Sequence, residues 1–192
     1  MTDNIRILVV EDEYIVALDL TKTLEELGYC VAGTASEGET AIEINKKEEP
    51  DLILMDIRLK GEMDGVTAAR IIQENYDVPI IYMTAYTDNH TLKQATLTGP
   101  SAYLVKPVDS QELKTTIEVA LFKHQMEREL KESREHFREI FEQNFDAIVL
   151  FDRETFRVLD VNPAAQSLFQ YSRAQLTEHF PELFNGPDLY KL

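Results

Sequence analysis

Five chemically capable side chains stand where apolar runs end. Glu11 and Asp12 follow "ILVV", Asp56 ends "DLILMD", Thr84 ends "VPIIYMT" and Lys106 ends "SAYLVK". If these runs are strands of one sheet, three acids, a hydroxyl and an amine converge at one edge. Two like charges 4 Å apart repel by roughly 4 kcal/mol at an effective dielectric near 20, so three clustered carboxylates need protonation or a cation. Oxygen-only donors suit Mg2+, which accepts one or two carboxylates and keeps several waters. A lysine aimed into such a cleft pairs with carboxylate or phosphate as a point charge. A carboxylate can also act as a nucleophile and form an acyl phosphate. Phosphoryl transfer needs little beyond positioning and charge neutralisation, which makes Asp56 the candidate acceptor. A plainer reading has Asp12 capping the helix that starts near Glu13, with Thr84 and Lys106 as strand-end decoration. Their joint placement favours the chemical one. Lys106 precedes Pro107, and an X-Pro bond can be cis in a tight turn.

Those groups need a scaffold, and the sequence supplies one. "IRILVV", "CVAGTA", "DLILMD", "VPIIYMT" and "SAYLVK" read as strands. Helical patterns follow each: "YIVALDLTKTLEELG" with a stop at Gly28, "SEGETAIEINKKEE" opened by a serine cap with a glutamate three residues on, "GVTAARIIQENY", "DNHTLKQATLTG" and "DSQELKTTIEVALFKHQ". Continuous apolar strands alternating with helices predict a five-stranded parallel sheet covered on both faces. Sheets of this kind place their sites beyond the carboxyl ends of the strands.

The bulk numbers set limits. The chain has 192 residues, a formal charge of −16 and 44% hydrophobic content. That acidity argues against direct nucleic-acid or anionic-lipid binding, which needs a basic footprint. The single cysteine, Cys30, rules out an internal disulfide and reads as a small core residue on its strand. No apolar run approaches the roughly 20 residues that span a bilayer, and no signal-peptide core is present. A cytoplasmic protein, or a soluble piece of a larger one, is expected.

Taken together, "ILVVEDE", "DLILMDIRL…MDG", "IIYMTAY" and "AYLVKP" closely resemble the receiver domain of two-component response regulators, over about residues 5–122. The resemblance implies a doubly wound α/β fold, flavodoxin-like, with strand order 2-1-3-4-5. It implies phosphorylation of Asp56 by a cognate sensor histidine kinase. Glu11, Asp12 and Asp56 would hold Mg2+ with the backbone carbonyl of Arg58. Thr84 and Lys106 would contact the phosphoryl group, Thr84 and Tyr103 would form the switch, and Arg58 and Tyr86 would set the phosphoryl lifetime. Two features depart from the family: Lys60 replaces a proline four residues after the acceptor, and the Asp56–Gly65 loop is one residue longer.

Beyond the receiver, "FKHQMERELKESREHFREIFEQN" continues the last helix. Phe122, Met126, Leu130, Phe137 and Ile140 recur on it in steps that suit a dimeric coiled coil with one stutter, although a helix packed on its own chain would show similar spacing. His124 and His136 read as solvated. "VNPAAQSLFQYSRAQL", after two short strands, resembles the start of a PAS sensor domain, and the chain stops before the strands that would complete it. We therefore expect a receiver at 1–122, a helical linker at 123–143 and a partial α+β PAS-like segment at 144–192, assembled as a homodimer.

Three other functions compete. An aspartate-nucleophile phosphatase would carry a second aspartate where Arg58 stands. A flavodoxin-like cofactor binder would need a phosphate loop where "EDEY" stands. The third alternative makes the PAS-like segment a ligand sensor, with the receiver as its regulator.

Overall fold

The computed structural model describes residues 5–85, 101–155 and 157–184. They form two compact units, the first ending at Glu127 and the second beginning at Arg128.

In the first unit the chain alternates strand and helix: β1 (Arg6–Val10), α1 (Tyr14–Glu26), β2 (Cys30–Ala35), α2 (Gly38–Glu48), β3 (Leu52–Asp56), α3 (Gly65–Asn75), β4 (Ile80–Ala85), β5 (Ala102–Lys106) and α4 (Ser110–Gln143). The helix expected at residues 88–99 lies outside the described residues. All strand pairs are parallel, and the order is β2-β1-β3-β4-β5.

The unbroken apolar strands have a direct cause. Successive side chains point to opposite faces, and in the central strands β1, β3 and β4 both faces are buried. Leu8, Val10, Ile53, Met55, Ile80 and Tyr82 pack on one side with Ala41, Ala68, Ala69 and Ile72 of α2 and α3. Ile7, Val9, Leu52, Leu54, Ile81 and Met83 pack on the other with Leu20 and Leu24 of α1 and with Leu113, Ile117 and Ala120 of α4. Each fully buried Leu, Ile or Val contributes about 1.5–3 kcal/mol, so a polar residue inside these strands would need a strong reason.

Three local expectations need correction. Cys30 is exposed, because β2 is an edge strand and the residue lies at its start. Helix α2 is not capped by Ser36: its cap position is Glu37, without a side-chain cap, and Glu37 instead forms an isolated bridge with Lys60. His124 is not merely solvated, since its Nε2 lies 3.6 Å from Asp77 Oδ1. The Gly28 stop holds, with φ 89° just after α1, and the structure adds a cap at the start of α3, where Asp64 accepts from the Thr67 amide at 2.8 Å.

The second unit starts within α4, which runs unbroken to Gln143 as the Gly- and Pro-free sequence requires. A hairpin follows, β6 (Val149–Phe151) with β7 (Val158–Val161), then α5 (Pro163–Phe169) and α6 (Arg173–Phe184). Its small core joins Val158, Val161, Ala165 and Leu176. Asn162 is wholly buried and organises the unit. Its side chain accepts from the Ile148 and Ala165 amides, both at 2.9 Å, and donates to the Asn144 and Asp146 carbonyls at 3.3 and 2.8 Å. Arg173 ties α6 to Glu142 at 2.6 Å and to Asp160 at 3.0 Å.

Candidate functional site

The sheet register delivers the acidic residues together. Val10 pairs with Met55, so Glu11 comes level with Asp56 one step beyond. Thr84 pairs with Val105 and Ala85 with Lys106, which puts the lysine at the same edge, two strands from β3. Carboxylate oxygens of Glu11, Asp12 and Asp56 lie within 4.8 Å of one another. Asp12 does not cap α1, whose cap position is Glu13.

Lys106 bridges the cluster. Its Nζ donates to Glu11 Oε2 at 2.5 Å and to Asp56 Oδ2. The Lys106–Pro107 bond is cis. Burial draws the lysine's pKa down, but the hydrogen bonds and charges of Asp56 and Glu11 outweigh it and leave the ammonium above its ordinary value. Glu11 moves up: burial raises its pKa, the hydrogen bond from Lys106 offsets part of that, and the Asp56 charge raises it again. The Asp56 side chain stays about 10% exposed, so the carboxylate is not sealed from solvent.

Asp56 Oδ1 accepts from the Arg58 amide at 3.0 Å, which fixes the carboxylate's rotation. The chain then turns back so tightly that Gly65 lies directly under the Asp56 carbonyl. A Cβ at Gly65 would sit 1.8 Å from that oxygen, so only glycine fits. Sequence reasoning noted the "MDG" string without this reason for its glycine.

The remaining predicted residues fall as follows. Thr84 is buried at the end of β4, its hydroxyl donating to the Ala85 carbonyl at 3.2 Å. Tyr103 is half-buried on β5 and stacks on Tyr82, with ring centroids 5.9 Å apart. Tyr86 lies outside the described residues. Phe122, Met126, Leu130, Phe137 and Ile140 are exposed along α4, at 45 to 65% of their full surface. Phe137 also stacks on Phe141.

Lys60, at the place where the family has a proline, takes part in the cluster. Its Nζ donates to the Asp12 carbonyl at 2.6 Å and lies 3.7 Å from Asp12 Oδ2. The signal available was a cation in the loop that starts at Asp56.

Three carboxylates with an oxygen-only donor set fit a small hard cation such as Mg2+. Among the described residues, no helix is long and apolar enough to cross a membrane.

Comparison with known proteins agrees with this geometry. Residues 7–118 match the response regulator receiver domain family, and residues 135–192 match a PAS domain. The transcriptional regulatory protein PdtaR of Mycobacterium tuberculosis is 36% identical over 116 residues, which cover 60% of this chain and 56% of PdtaR. The signal receiver domain of a modulated diguanylate cyclase from Desulfovibrio desulfuricans superposes with a TM-score of 0.61 at 38% identity, over 64% of this chain and 97% of that one. The N-terminal domain of a response regulator/sensory box/GGDEF three-domain protein from Carboxydothermus hydrogenoformans gives 0.58 at 35% identity, over 64% and 98%. This chain thus spans about half the length of the curated relative. With a receiver match covering more than half of its residues, the chain belongs to the response regulator receiver family of two-component systems.

Proposed function

We propose that Asp56 accepts a phosphoryl group from a cognate sensor histidine kinase. An Asp56 Oδ attacks the phosphorus of the phosphohistidine. A P–O bond forms, the P–N bond breaks, and the electron pair returns to the imidazole nitrogen, which takes up a proton. The observation that carries this reading is the position of Lys106 Nζ between Glu11 and Asp56. It supplies a cation where phosphoryl oxygens would gather. Glu11, Asp12 and Asp56, with the Arg58 carbonyl, would hold Mg2+, whose contribution when bound is charge neutralisation. Thr84 and Lys106 contact the phosphoryl group. Thr84 and Tyr103 form the two-state element that the new charge biases. Arg58 and Tyr86 set the lifetime of the acyl phosphate.

The receiver at 1–122 passes its state through the linker at 123–143 to the PAS-like segment at 144–192. The exposed stripe from Phe122 to Ile140 supports a homodimer, because a second copy would cover it. The domain order named for the Carboxydothermus protein, a receiver followed by a sensory box, supports the same architecture. We place the protein in the cytoplasm, where its kinase would meet it, and assign it no direct nucleic-acid binding. Its role is signalling rather than turnover of a substrate. A second reading treats the PAS-like segment as a ligand sensor. A cleft of about 370 Å³ borders Glu11 and Asp12 in the first unit, whereas the second unit has one of about 540 Å³ lined by Arg134, Phe137, Arg138, Phe141 and Asp160, which gives that reading a site for a small ligand.

Beryllofluoride with Mg2+ tests the assignment. It should raise the thermal midpoint of the wild-type chain and leave Asp56→Asn unmoved. An equal rise in that variant would refute the role of Asp56. Solution mass measured on the same samples reports whether occupancy changes the dimer population.

A further inference from the structure

Lys60 places a further cation at the acidic cleft, and the proposed metal chemistry does not use it. Its ammonium donates to the Asp12 carbonyl at 2.6 Å and stands 3.7 Å from Asp12 Oδ2, while its side chain remains 64% exposed. The backbone beneath it is pinned. Lys60 bridges Glu37, Gly61 turns with φ 99°, and Met63 packs against Gly38. The loop after β3 is thereby fastened across the start of α2, and its lysine is delivered to Asp12. A cleft of about 370 Å³ opens between Glu11, Asp12 and Lys60.

We propose that Lys60 is a tethered counter-ion that competes with the divalent cation for Asp12 and so sets the metal affinity of the site. This inference rests on the metal reading of Glu11, Asp12 and Asp56 given above. A divalent ion held by Asp12 would share that carboxylate with the Lys60 ammonium. The two cations would either repel in place or the lysine would swing out, giving up its bond to the Asp12 carbonyl. Both routes weaken binding relative to a chain with a neutral side chain there. The side chain's exposure gives it room to leave, so the effect is on affinity rather than on whether the ion enters. Lys106 differs in kind: it is mostly buried, and the proposed chemistry gives it phosphoryl oxygens to contact.

Isothermal titration of Mg2+ into the full chain tests this, comparing wild type with Lys60→Met, Lys60→Gln, Lys60→Arg and Lys47→Met. Lys47 pairs with Glu48, which holds Arg6 at the opposite end of β1, so it controls for net charge alone. Both neutral Lys60 variants should bind Mg2+ about fivefold more tightly, with Lys60→Arg and Lys47→Met within about twofold of wild type. The gain should shrink as salt is raised, which a purely structural role of the loop would not produce. Equal or weaker binding by both neutral variants overturns the proposal while leaving the metal site standing. Absence of binding in every sample, wild type included, overturns the metal reading itself.

Discussion

The Cα of Gly65 lies so close beneath the Asp56 carbonyl that a methyl group there would stand 1.8 Å from the oxygen and 2.9 Å from its carbon. The loop that follows Asp56 is therefore closed by a contact that no side chain tolerates. Gly65→Ala must open the junction of β3 and α3, at about 3 kcal/mol. Chemical denaturation should show that loss, and beryllofluoride binding should weaken with it. An unchanged midpoint would mean that the turn is less rigid than described.

Lys106 holds Glu11 and Asp56 together across four strand positions. Lys106→Met leaves those carboxylates facing each other without a cation. With 21% of the lysine side chain exposed, the expected loss is about 2 kcal/mol, less than for a fully buried pair. Millimolar Mg2+ should restore part of it, because one cation replaces another. Thermal unfolding with and without Mg2+ measures both effects, and a variant insensitive to Mg2+ would contradict the description of the cluster.

In the second unit, Asn162 makes four hydrogen bonds from a fully buried position. Asn162→Ala strands two carbonyls and two amides, at about 2–4 kcal/mol. Amide exchange at Ile148 and Ala165 should accelerate by orders of magnitude. Unchanged protection would show that other contacts hold the hairpin to α5.

The turn between β6 and β7 carries a pH signature. The Thr155 amide and then its hydroxyl donate to Asp152 and lower its pKa below the ordinary aspartate value, with the Glu154 amide adding to the effect. A depressed folded pKa contributes stability that is present above the unfolded value, about 3.9, and is lost as pH falls through the folded one. Exchange protection at the Thr155 amide should therefore persist through mild acid and vanish only below the usual aspartate range. Asp152→Asn should flatten that dependence. A wild-type amide that deprotects already near neutrality would contradict it.

Much of the receiver could be read from the chain because its three central strands, β1, β3 and β4, are buried on both faces. That burial writes each of them as an unbroken apolar run, and the run's end marks the sheet edge where Glu11 and Asp56 meet Lys106 from β5. What escaped the sequence depended on contacts between distant loops. The backbone of Glu37, at the cap position of α2, bridges that of Lys60, and Lys60 reaches Asp12 across 48 positions. Nothing local to either residue announces this. Cys30 was misplaced because a small apolar residue on a strand reads as core whether the strand is central or at the edge, and only the strand order decides.

The central claim is that a single aspartyl oxygen takes the phosphate. Incubation with a small-molecule phosphodonor and Mg2+, followed by intact-mass measurement and reductive mapping of the acyl phosphate, tests it most directly. The wild-type chain should gain one phosphoryl group, located on Asp56, and Asp56→Asn should gain none. Labelling that survives in Asp56→Asn, or that maps to another residue in the wild type, would contradict the account.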